Sequence, residues 1–221
     1  MSNIVIVPTG GLANRLRVVF SYLYNALKEK KNLTVIWKIN YMCEGYFLNY
    51  FEPINNVTFL PKLPDKMRVN YCGCSSTKWD YNYAKLVLKT TIKNKINNYI
   101  SKYLGNDYVS VHIRRTDHVS LAKHKGKYTD DQSFIKYIDK YPTSKIYLAT
   151  DNYNTQVFFK NRYKNRLYMY QPIVPNNHLR QTSLEHSIID VYICAKSKQF
   201  MGSGFSSYSS LINMVRKTSK C

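Results

Sequence analysis

Val109-Ser110-Val111-His112-Ile113-Arg114-Arg115-Thr116-Asp117 decides how the chain is read, because a β-branched alternation stops abruptly in a histidine, two arginines and an acid. The alternation predicts a strand, and the onset of charge marks its carboxyl end. In open α/β sheets ligands bind beyond the carboxyl ends of the strands, so a guanidinium in that position meets an anion. Arginine suits phosphate because its planar fork makes paired, charge-assisted bonds. Adjacent strand-end side chains point to opposite sides, so one of Arg114 and Arg115 faces the ligand and the other ties the loop, with Asp117 as the ion-pair partner at hand.

Upstream of this stretch, residues 4–7 read as a buried strand, Gly10-Gly11 as a tight turn, 14–27 as an amphipathic helix and 33–37 as a second strand, a β-α-β unit. Between 40 and 82, short apolar pieces such as 57–60 and 67–69 alternate with prolines, which predicts brief strands and loops. Residues 84–104 carry apolar side chains at helical spacing and stop at Gly105. That stop marks the expected boundary between an N-terminal half, 1–104, and a C-terminal half, 105–221.

Downstream, 117–128 is a basic loop without periodicity, and Thr129-Asp130-Asp131-Gln132 has the form of a capping box that starts a helix at Thr129. Asp130 and Asp131 then favour the helix dipole. Residues 145–149 are a strand with Thr150-Asp151-Asn152 at its end, 153–163 a helix and 167–170 a short apolar piece. Residues 183–195 read as a buried helix that carries Asp190 in its apolar stripe, where a carboxylate needs partners. Gly202-Ser203-Gly204-Phe205-Ser206-Ser207 opens the last helix, either as a plain serine cap or as a mouth of N–H groups and hydroxyls for an anion.

A chain of 221 residues with 44% hydrophobic content buries a sizeable core, as one large domain or two small ones. Thirty-three Lys and Arg against 13 Asp and Glu leave +20, which favours anionic partners: nucleotides, nucleic acid, acidic polymers or an anionic membrane. No stretch is apolar enough to span a bilayer and the first residues do not form a signal peptide, so a soluble, cytoplasmic protein is expected. The five cysteines, Cys43, Cys72, Cys74, Cys194 and Cys221, are odd in number and fit reduced thiols. Cys72-Gly-Cys74 lacks the second pair of a zinc site, so no metal is expected. The chain has no Walker A motif and no G-x-S-x-G elbow, which ranks NTPase and hydrolase readings low.

His112-Ile-Arg114-Arg115-Thr116-Asp117, Asp190 inside a late helix, and Gly202-Ser-Gly-Phe205-Ser206-Ser207 together resemble the ordered motifs of the fucosyltransferase superfamily. That superfamily includes alpha-1,2, alpha-1,6, nodulation and protein O-fucosyltransferases. Gly10-Gly11-Leu12-Ala13-Asn14-Arg15 is similar to the glycine-rich element after the first strand of many members. The resemblance leaves 40–82 unmatched. It implies a GT-B-like α/β fold, two small Rossmann-like halves facing a cleft, with the acceptor on the N-terminal side and GDP-fucose held mainly by the C-terminal half. The implied chemistry is inverting and metal-independent, with no cofactor: an acceptor hydroxyl, on a glycan or another molecule, displaces GDP at the anomeric carbon of fucose.

By that resemblance Arg114 binds the diphosphate and stabilises the charge that develops on the leaving group, and His112 lies along the ribose and phosphates. Asp190 takes the guanine edge, Ser206 or Ser207 bonds a phosphate, and Asn14 with Gly10 and Gly11 faces the reacting sugar. Arg115 is a structural partner. The physical logic agrees, since without a metal the protein must supply cations and N–H dipoles to the diphosphate. The glutamate that alpha-1,6 members carry beyond R-R-T-D is Ala122 in this sequence, which leaves His118 or His124 as candidates to accept the proton, with His118 the catalytic candidate. Two other readings stand beside the transferase: a basic nucleic-acid-binding protein, and a GDP-binding homologue without transfer activity.

Overall fold

The computed structural model describes residues 3–65, 67–72, 83–117, 119–174 and 182–218. The chain is α/β and divides into two compact units, Met1–Ile92 and Lys93–Cys221. In the first, β1 (Asn3–Pro8), β2 (Asn32–Ile36), β3 (Val57–Leu60) and β4 (Asn70–Cys72) form a parallel sheet in the order β3-β2-β1-β4. The helix α1 (Leu12–Lys28) joins β1 to β2 and buries Leu16, Val19, Phe20 and Leu23. Val5, Val7 and Ile36 pack together with Leu60, Leu63, Met67 and Val69. Strands covered on both faces read as short apolar runs, which is why 4–7 and 33–37 were legible.

The segment 84–104 is not one long helix. Tyr83–Lys85 is a single 3₁₀ turn, and residues 86–89 run extended against 50–52, with Glu52 N–H donating to Val87 O and Lys89 N–H to Tyr50 O, both at 2.9 Å. Helix α2 (Thr90–Tyr99) follows, extended by a π turn at Ile100–Leu104 that ends at Gly105. The division between the two compact units lies after Ile92, in the first turn of this helix. The reason is packing, because Tyr99 donates its hydroxyl to Met169 O at 2.6 Å and Lys95 pairs with Glu185 at 2.6 Å.

In the second unit β5 (Tyr108–Ile113), β6 (Lys145–Thr150), β7 (Leu167–Tyr168) and β8 (Gln199–Gly202) repeat the same order, β7-β6-β5-β8, all parallel. Helices α3 (Val119–His124), α4 (Asp131–Ile138), α5 (Tyr153–Tyr163), α6 (Leu184–Lys196) and α7 (Ser207–Thr218) complete it. Val109, Val111 and Ile113 pack with Phe134, Ile135, Ile138 and Phe159 of α4 and α5. The alternate residues face α6 and α7 through polar contacts: Tyr108 OH to Ile193 O at 2.7 Å, Ser110 Oγ to Cys194 O at 3.3 Å, and His112 Nδ1 to Ser209 Oγ at 2.7 Å.

Two local expectations are corrected. The stretch read as a loop after Asp117 contains the short helix α3, which buries Ala122. The cap of α4 is Asp130, whose Oδ1 accepts the Ser133 N–H at 2.8 Å, while Thr129 turns its hydroxyl to accept the Gly204 N–H at 2.9 Å. A carboxylate one residue nearer the helix satisfies the first-turn donor, which frees the threonine to brace another loop.

Candidate functional site

In the order β7-β6-β5-β8 the chain leaves β5 for β6 and β7 on one side and then returns to lay β8 on the other side of β5. In sheets with such a reversal of strand order, ligands bind beyond the carboxyl ends of the strands that flank it, which are β5 and β8 here. The register pairs His112 with Gly202, so Arg114 and Ser203 leave the sheet side by side. The Arg114 N–H donates to Ser203 Oγ at 2.9 Å, and the Ser203 N–H donates to His112 O at 2.9 Å.

Asp151, at the end of β6, organises the arginine stretch. Its Oδ1 accepts the Arg115 N–H at 2.8 Å, and its Oδ2 accepts the Thr116 hydroxyl and pairs with Arg114 Nη1 at 3.0 Å. Arg114 also pairs through Nη2 with Asp117, on the more exposed side, and its side chain is 14% exposed. Arg115 takes the opposite face, as strand alternation requires. It reaches Asp131 of α4 at 2.5 Å and lies over Tyr128 and Phe134 with 5.1 and 5.7 Å to their ring centres. The loop-tying arginine is thus Arg115, and its acid is Asp131; Asp117 belongs to Arg114.

The glycine loop follows β8 closely. A Cβ on Gly202 would stand 2.6 Å from Ser209 Cβ, and one on Gly204 would stand 2.1 Å from the Lys127 carbonyl oxygen. Only glycine admits those approaches. Ser206 is buried and its Oγ accepts the Ser209 N–H at 3.3 Å, so it caps α7, while Ser207 opens the helix half-buried. The unpaired N–H groups of the first turn of α7 thus follow the end of β8, the strand beside which Arg114 leaves the sheet.

On the α6–α7 side, His112 is buried with its ring 4.6 Å from that of Tyr208. The Tyr208 hydroxyl donates to Ser187 O. Asp190 is 4% exposed: Tyr147 donates its hydroxyl to Oδ1, and His186 Nε2 stands 3.5 Å from Oδ2. Burial, reinforced by this carboxylate, holds the Tyr147 and Tyr208 phenols well above their usual pKa, so both remain protonated donors. Burial opposes charge on His186, yet the Asp190 carboxylate outweighs it and raises the imidazole pKa.

In the first unit Gly10 takes φ +82°, and a Cβ there would meet Asn14 Nδ2 at 3.3 Å. Gly11 precedes α1 as its cap residue. Arg15 is 0% exposed and braces this loop: Nε donates to Gly10 O at 2.7 Å, Nη1 to Lys38 O at 2.6 Å and Nη2 to Asn40 Oδ1 at 3.0 Å.

The structure thus brings His112, Arg114, Ser206 and Ser207 to one sheet edge and seats Asp190 in α6 on the same face as His112. Asn14, Gly10 and Gly11 form their own cluster in the first unit. His118 lies outside the described residues, and His124 is exposed on α3. The sequence reading gave no role to Asp151, Ser203, Ser209, His186 or Tyr208. An acid following β6, the neighbour of β5, was the signal for Asp151. Among the described residues no three His, Cys, Asp or Glu gather into a metal site, Cys43 and Cys194 are buried, and no helix is long and apolar enough to cross a membrane.

Solved structures that match the chain include NodZ alpha-1,6-fucosyltransferase co-crystallised with GDP, at 14% identity and a TM-score of 0.66 over 97% of this chain and 93% of that one. NodZ from Bradyrhizobium gives 15% identity and a TM-score of 0.64 over 97% and 94%. The apo form of POFUT1 gives 12% identity and a TM-score of 0.70 over 99% and 95%. These likenesses show the fold, the GT-B class of α/β architecture. No curated protein sequence matches significantly. The profile described as GDP-fucose protein O-fucosyltransferase matches residues 12–219. The chain therefore belongs to the GDP-fucose protein O-fucosyltransferase family, and is a glycosyltransferase of that kind.

Proposed function

We infer that the chain transfers fucose from GDP-fucose to an acceptor hydroxyl, with inversion and without a metal. The observation that carries this reading is the meeting of Arg114, at the end of β5, with the capped start of α7, at the end of β8, joined through Ser203 at 2.9 Å. A guanidinium and a helix start aimed at one crevice are what a diphosphate leaving group needs.

Asp151 orients the guanidinium, and the exposed Asp117 holds the arm that a phosphate takes over. In the displacement, the acceptor oxygen forms its bond to the anomeric carbon as the bond to the β-phosphate oxygen breaks. The electron pair goes to that oxygen, where Arg114 and the N–H groups of Ser207 and its neighbours stabilise it. His112 lies along the ribose and phosphates. Asp190 offers the purine its Oδ2, the oxygen whose partner is the more distant at 3.5 Å. Asn14 and its glycine loop serve the reacting sugar, and His118 is the candidate to take the hydroxyl proton. Ala122 cannot accept a proton, so the position of the alpha-1,6 glutamate has no such role.

Titration calorimetry tests the reading: GDP should bind in preference to UDP, ADP and CDP, and Arg114→Ala should abolish that binding. Binding that does not distinguish GDP, or that survives the substitution, overturns it. Oligonucleotide binding that falls with salt and ignores Arg114→Ala would favour the nucleic-acid reading.

A further inference from the structure

The edge of the second sheet divides its chemistry between two faces. His112, Tyr208 and Asp190 lie with α6 and α7, whereas Arg115 turns toward Tyr128, Phe134 and Asp131 on the side of α4. The loop before α4 rises on that second side and is fastened to the glycine loop. Thr129 Oγ1 accepts the Gly204 N–H at 2.9 Å, and Gly204 lies against the Lys127 carbonyl so closely that a Cβ would stand 2.1 Å away.

Phe205 comes next, and two features of it need an account. Its backbone has φ +56°, a region that a bulky L residue rarely adopts, and the residue is 44% exposed. Part of this large apolar side chain faces water. Strain kept in a segment that borders a ligand crevice points to use by the ligand. The Lys127 ammonium stands 5.9 Å from the ring centre, so the aromatic face and a positive charge are presented together, one residue before the Ser206 that caps α7.

We propose that Phe205 and Lys127 form the platform for the sugar end of the donor and select a 6-deoxyhexose. This rests on the reading of the crevice as a diphosphate site. With the nucleoside on the α6–α7 side and the diphosphate across the strand ends, the hexose emerges on the α4 side, over the exposed ring. The C–H face and C5 methyl of a 6-deoxy sugar pack on an aromatic surface, whereas a hydroxymethyl group there would lose water without gaining a partner. Lys127 brings its charge to the phosphate nearer the sugar.

The test compares dissociation constants of GDP, GDP-fucose and GDP-mannose for the parent chain, Phe205→Gly, Phe205→Trp and Lys127→Met. Glycine accepts a positive φ, so Phe205→Gly should melt no lower than the parent. It should keep GDP affinity within about twofold yet lose roughly fivefold to tenfold for GDP-fucose, with no preference left over GDP-mannose. Phe205→Trp should restore the preference, and Lys127→Met should weaken both sugar nucleotides by a few fold. An unchanged GDP-fucose to GDP ratio in Phe205→Gly overturns the platform while leaving the diphosphate site intact. Equal loss for GDP and GDP-fucose also overturns it, because the ring would then hold the nucleotide. A parent chain that binds no GDP removes the diphosphate site and the platform together.

Discussion

Both units carry a guanidinium at the carboxyl edge of a parallel sheet with the same strand order, and they use it differently. Arg15 in the first unit is sealed against Trp37, 5.2 Å from its ring centre, and its three donors go to two carbonyls and an amide. Every acceptor is neutral and internal, so the charge fixes loop positions. Arg114 in the second unit has carboxylate partners, one of which, Asp117, is 38% exposed. An anion from solution can replace such an arm; it has no route to the sealed one. Topology supplies the edge, while burial and the charge of the neighbours decide whether an arginine at that edge is brace or ligand.

The largest effect expected from this contrast is that of Arg114→Ala, which should lower kcat/KM by about 10²–10³ with little change in melting temperature, measured by GDP release and thermal unfolding. Comparable loss of stability would erase the distinction. Arg15→Ala should do the reverse. Three acceptors and a cavity left behind should destabilise the chain by roughly 2–4 kcal/mol in urea titration, with GDP affinity of the folded protein unchanged. A smaller effect sharpens the account of Arg114: Asp117→Asn removes the competing carboxylate and should tighten GDP by about 0.5 kcal/mol, near twofold, by calorimetry.

The smallest effect concerns pH and the second unit alone. The His186 pKa is raised in the fold, with the Asp190 carboxylate outweighing burial. Its stabilisation is therefore complete below the unfolded histidine value of about 6.5 and is lost as pH rises through the folded value. Urea midpoints followed from acid to alkaline pH should show that decline, and His186→Gln should flatten it.

Much of this was legible in sequence because the signals were local. Alternation in 109–113 gave the strand, the charge that follows gave its ligand end, and the glycine and serine run gave the helix mouth. What stayed hidden depended on contacts between distant segments. Tyr108, Ser110 and His112 look like the wet face of a half-buried strand, yet α6 and α7 cover them and bind each one. The helical spacing in 84–104 was real from Thr90 onward, but pairing with 50–52 drew 86–89 out straight. Thr129 read as a cap because the box pattern was present, and only the approach of Gly204 shows what its hydroxyl does instead. The partner of Arg115 required knowing which helix covers which face.

The position of β8 has a consequence for how the enzyme comes into being. β8 is the last strand among the described residues and docks beside β5, which is buried along its whole length. Until a ribosome has passed Gly202, an apolar strand stands with one row of backbone groups unpaired, and the donor crevice does not exist. Nascent chains interrupted before that point should be sticky and without affinity for nucleotide, so chaperone protection matters most late in translation.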